Sequence, residues 1–214
     1  MSFFDARLKS KIPMLVMIAL ALQPSTLRAA GISVGSEDSH GMFRVGTMSF
    51  AKTDGAENIS GTASVLNYEY SRNFRLDQSL LIGWRQATDA ATKRDAYHSA
   101  YVGYRIFPFG IGFPVLATTG DATIAYDSKY KLYGEASVGL GHMLFQPIAE
   151  GAGDFSSETL AIALGGGMVM HFFGRWALDV QLMYESVQSR GGTANALAAS
   201  ATHIYGMVGT GLFF

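Results

Sequence analysis

His98-Ser99 is the first pair in the chain that suggests nucleophilic chemistry. A hydroxyl becomes a nucleophile only with a base in hydrogen-bond reach. If the segment is a strand the pair fails, because adjacent strand residues point to opposite faces. A second cluster joins His142 and Glu158 with a nearby Ser156 or Thr159. His142 and Glu158 share one parity, and a hairpin would make them diagonal neighbours near one rim of a sheet. A polar rim without catalysis explains the same residues and is preferred. The histidines at 40, 98, 142, 171 and 203 are scattered, and none shows metal-ligand spacing. Gly165-Gly166-Gly167 lies inside an apolar run and not at a strand-to-helix turn, so it is no phosphate loop. The expectation is a protein that is not an enzyme and holds no cofactor or metal.

A third constellation consists of charges set at alternate positions within apolar runs. Arg44, Arg85 and Arg105 face Glu69, Glu135, Asp179 and Glu185 if all seven turn to one side. Mixed signs near balance suggest a cross-linked network of ion pairs, since an unpaired buried charge costs several kcal/mol. A structural network is the preferred reading. The alternative is a narrow gated pore in which one arginine exchanges carboxylate partners.

Positioning such a set requires period-two elements, and these recur along the chain. Eight strands are expected, at Met42–Lys52, Gly61–Asn73, Ser79–Ala87, Ala96–Pro108, Tyr130–Phe145, Glu158–Phe172, Arg175–Ser189 and Ala201–Phe214. In Arg175–Ser189, Trp176, Leu178, Val180, Leu182 and Tyr184 share one face, while Arg175, Asp179, Gln181 and Glu185 share the other. Leu80, Ile82 and Trp84 alternate with Gly83 and Arg85, and Val102, Tyr104 and Ile106 with Tyr101, Gly103 and Arg105. Most of these segments exceed the roughly 9–11 residues that a tilted strand needs to cross a bilayer. A lipid-facing Arg or Lys near the midplane costs about 2–4 kcal/mol, so apolar faces turned to lipid and charged faces turned inward are the expected sorting. Trp84, Trp176, Tyr184 and Phe214 are the candidate interface aromatics.

Composition agrees. Charged residues make up only 15% of the chain, with 25 glycines, 12% aromatics and no cysteine. A net charge of −1 gives no basic field for nucleic acid. Arg7, Lys9 and Lys11 precede the apolar run Met14–Leu22, followed by Leu27-Arg28-Ala29-Ala30. Residues 1–30 therefore read as a cleaved secretory signal, with Leu27 and Ala29 fitting the −3 and −1 positions, and residues 31–214 as a barrel domain. The connections Asn73–Gln78 and Phe173–Gly174 are short and expected on the periplasmic side. Thr53–Ser60, Thr88–Asp95, Gln146–Ser157 and Arg190–Ser200 are longer and expected outside. Phe109–Lys129 is too long for a turn. Val115–Thr118 and Ala122–Tyr126 could pair there as a hairpin too short to span.

The run Tyr101-Val102-Gly103-Tyr104-Arg105, the run Leu132-Tyr133-Gly134-Glu135-Ala136 with Gly139 and Gly141, and the closing Gly209-Thr210-Gly211-Leu212-Phe213-Phe214 carry a resemblance. The chain resembles the small outer-membrane β-barrel group that includes the OmpA transmembrane domain, OmpX and the opacity-like proteins. The resemblance implies an all-β fold, an eight-stranded antiparallel up-and-down transmembrane barrel in the bacterial outer membrane. It implies membrane lipids and lipopolysaccharide as neighbours, recognition of the last strand by the barrel assembly machinery, and a monomer. The group contains anchors, adhesins, small-solute pores and a few enzymes. The expected role is structural or surface-interactive. A narrow channel is the alternative, and a lipid A-modifying enzyme a remoter one.

Overall fold

The computed structural model describes residues 28–29, 32–33, 39–54, 57–75, 77–89, 95–109, 115–119, 122–126, 130–145, 155–172, 176–190 and 200–213. Eight long strands make up most of them: β1 (Ser39–Asp54), β2 (Glu57–Arg75), β3 (Gln78–Asp89), β4 (Asp95–Ile106), β5 (Tyr130–Phe145), β6 (Phe155–His171), β7 (Trp176–Arg190) and β8 (Ser200–Phe213). Each pairs antiparallel with its neighbours in chain order, and β8 closes on β1. Expected and observed strands agree to within a few residues at each end.

The alternation in sequence is the alternation in burial. On β8 the odd positions Tyr205, Met207 and Phe213 are buried, while Ile204 and Val208 are exposed. Strand period is two, so one register slip would turn the whole inward set outward. Following Cα partners from Phe43 through Tyr68, Trp84, Ala100, Leu140, Leu160, Gln188 and Ser200 returns to β1 at Thr53. That stagger of ten residues over eight strands sets a tilt of roughly 40° and an interior that side chains can fill.

Close approach to neighbours demands glycine at particular places. A Cβ on Gly83 would strike the Tyr101 ring, and one on Gly209 would strike the Phe43 carbonyl and Arg44. At one end of the barrel the β2–β3 and β6–β7 connections are tight, and across the second the Phe172 amide donates to the Trp176 carbonyl at 2.9 Å. At the same end the Phe107 amide, just past β4, donates to the Asp77 carbonyl, just before β3, at 2.8 Å.

One correction follows at the connections, and one expected hairpin is present. Thr53–Ser60 is not a loop, because the β1–β2 ladder runs on to Asp54 opposite Glu57. Val115–Thr119 pairs with Ala122–Tyr126 as a separate two-stranded hairpin that adds nothing to the barrel. Arg28–Ala29 pairs with Ile32–Ser33, while the rest of the expected export signal lies outside the described residues.

Candidate functional site, the filled lumen

Inward positions at mid-height of six strands supply the charges. Arg44 on β1 donates from Nη1 and Nη2 to Glu69 of β2 at 2.9 and 3.2 Å, and from Nε to Asp179 of β7. Arg105 on β4 donates to the same Glu69 at 2.7 Å and to Glu135 of β5 at 2.5 Å. Glu69 therefore bridges two guanidiniums: Arg44 reaches both of its oxygens, and Arg105 shares Oε1 with it. The Tyr133 hydroxyl donates to Asp179 at 2.9 Å, and the Gln181 amide to Glu135 at 2.9 Å. Asn67 turns its amide oxygen to Arg44 Nη1 at 3.0 Å and its nitrogen to the Trp84 carbonyl at 3.2 Å. Charge-assisted bonds of this kind are the strong ones, and low dielectric strengthens them further.

Arg85 belongs to a second cluster nearer the other end. Its Nη1 donates to Glu185 at 2.7 Å, and its guanidinium lies 4.9 and 4.6 Å from the Tyr101 and Tyr205 rings. The π faces meet charge that Glu185 alone does not satisfy. Glu185 also takes His203 Nδ1 at 3.0 Å and the Tyr205 hydroxyl.

Apolar layers close both ends. Towards the tight turns, Met42, Phe107, Tyr133, Val169, Ala177 and Phe213 pack together. Phe213 packs between His40 and His171 in tilted ring contacts at 4.8 and 4.4 Å, with the Lys131 ammonium 5.8 Å away. Towards the opposite end, Met48, Ala63, Ala87, Tyr97, Met143, Ala161, Val187 and Ala201 form the other layer, joined by Phe50. Between them Arg44, Arg105 and Asp179 retain 0% of their surface. Tyr101, Tyr133, Tyr205, His203, Asn67 and Gln181 are members of these clusters that charge pattern did not single out. Their inward parity was the available signal.

The outer wall is zoned. Outward positions at the tight-turn end include Phe74, Tyr130, Phe172 and Trp176, all exposed. The middle is apolar, with Leu80, Val102, Val138, Leu140, Ile162, Leu164, Leu182, Ile204 and Val208 exposed. The far end is polar, with Ser49, Thr62, Ser64, His142, Glu158 and Gln188. A continuous apolar belt of this extent on a closed barrel is a surface made for hydrocarbon, not water. Trp176 sits at the aromatic end, while Trp84 and Tyr184 lie on the wall towards the polar end. Phe214 lies outside the described residues.

The chain has the fold of a small outer-membrane β-barrel. It is similar to Neisserial surface protein A, with a TM-score of 0.50 and 11% identity over 81% of this chain and 97% of that one. It also aligns with the N-terminal β-barrel domain of Pseudomonas aeruginosa OprF, at a TM-score of 0.43 and 11% identity over 83% and 98% of the two chains. Ail, the attachment invasion locus protein of Yersinia pestis, gives 0.41 and 14% over 83% and 99%. No family profile and no curated protein matches.

The candidate nucleophile sites of this outer-membrane-type barrel can be placed on its wall. His98 faces outward and Ser99 is buried in the lumen, so they do not meet. His142 and Glu158 are direct Cα partners, not diagonal ones, and Thr159 is buried on the opposite face. Ser156 lies in β6, with its side chain outside the described set. The histidines are less scattered than their spacing suggests, because His98 and His142 are Cα partners on adjacent strands.

Proposed function

We propose that this chain is an integral outer-membrane barrel with a structural or surface-interaction role, and that its lumen does not conduct. One observation carries the reading: Arg44, Arg85 and Arg105 are ion-paired with Glu69, Glu135, Asp179 and Glu185, and buried between two apolar layers. A solute path would have to break ion pairs in low dielectric and wet both layers, and each step is costly. Role then falls to the outer wall and the connections at the polar end. Membrane lipids and lipopolysaccharide are the proposed neighbours, residues 1–30 the export signal, and β8 the strand read by the assembly machinery. The barrel works as a monomer in this proposal.

Reconstitution into planar bilayers tests it. The expected record is silent across voltage and between about pH 5 and 8. Steady single-channel steps whose size changes in Arg44→Ala would overturn the proposal in favour of a narrow channel.

A further inference from the structure

The polar end of the wall carries an imidazole pair. His98 of β4 and His142 of β5 are Cα partners, and both rings lie on the outer face. Their centroids are 5.4 Å apart with the planes tilted by 49°. Two imidazoles that share one tetrahedral ion at about 2.0–2.1 Å from each nitrogen hold their ring centres roughly 5 Å apart. Glu158 of β6 is the next partner along the same row, and it adds negative charge beside the pair. The Trp84 ring packs against His98 at 5.4 Å and 21°, which steadies that imidazole.

We propose that His98 and His142 chelate a divalent first-row transition ion such as Zn2+, Ni2+ or Cu2+ on the outer face of the barrel. Imidazole suits these ions, and Cu2+ binds most tightly of them. Among the described residues no three His, Asp or Glu side chains converge on one point. The chelate is therefore a two-nitrogen one, and its remaining positions are open to water or to headgroup oxygens. Neither ring has to enter the lumen, so the ion-pair clusters are undisturbed. His40 and His203 are buried and do not compete.

The chain has two tryptophans, so Trp176→Phe leaves Trp84 as the sole reporter. This variant is titrated with Cu2+ alone, as the folded full-length barrel in vesicles. The expected result is saturable quenching of Trp84 at one equivalent, with affinity at least tenfold weaker after His142→Ala and likewise after His98→Ala. His142→Ala leaves the Trp84–His98 stack in place, so its effect reports the second ligand and not lost ring packing. Quenching that does not saturate, or that keeps its affinity in both variants, would overturn the site.

Discussion

Glu69 is the residue on which the lumen turns, because Arg44 and Arg105 both bond to it. Removing one partner of a buried pair strands the other, at a cost of about 3–5 kcal/mol. Arg44→Met should therefore destabilise the barrel by roughly that amount, since Glu69 and Asp179 both lose a donor. Urea unfolding in lipid vesicles measures it, and a loss below about 1 kcal/mol would show that the pairs are dispensable. Which residues face the lumen was legible from parity alone. Which arginine takes which carboxylate was not, because partnership depends on the stagger between strands and on side chains crossing the barrel. Arg44 reaches Asp179 two strands away, past the glycine-rich β8, and no spacing in the chain announces it. Parity already turned Tyr101 inward, but the partners of the tyrosines that complete the clusters were hidden for the same reason. Tyr is compatible with either face, so its role emerges only from its neighbours.

At the scale of the strand, glycines on the two faces do different things. Gly209 faces the lumen where β8 meets Phe43 and Arg44 of β1, and a side chain there would strike backbone. Gly206 faces outward, and a Cβ there meets nothing within 4 Å. Gly209→Val should thus block closure of β8 on β1, whereas Gly206→Val should fold and migrate as the parent does. Folded fractions after refolding into detergent separate the two, and equal yields would contradict the register of β8 on β1. Strand positions were readable because alternation extends over whole elements. The connection at 53–60 was misjudged because its polar residues have the composition of a loop, yet the ladder continues through them. Polar outward residues are what a strand needs where it leaves the hydrocarbon. The pairing of His98 with His142 was likewise invisible in one dimension, since 43 residues and a separate hairpin divide them.

At the scale of the molecule, the barrel is a cylinder with an aromatic end, an apolar middle and a polar end, filled by ion pairs between two apolar layers. Low charge content and plentiful glycine already pointed to lipid as its solvent, and the zoned wall gives that a geometry. The filled lumen makes the closed barrel hard to open, because unfolding must expose paired charges together with both apolar layers. Mobility of the purified protein on a denaturing gel, with and without boiling, tests this most directly. The expected result is a faster band before boiling, from a compact barrel that resists detergent, and a slower one after. Identical mobility in the two lanes would contradict a stable closed barrel.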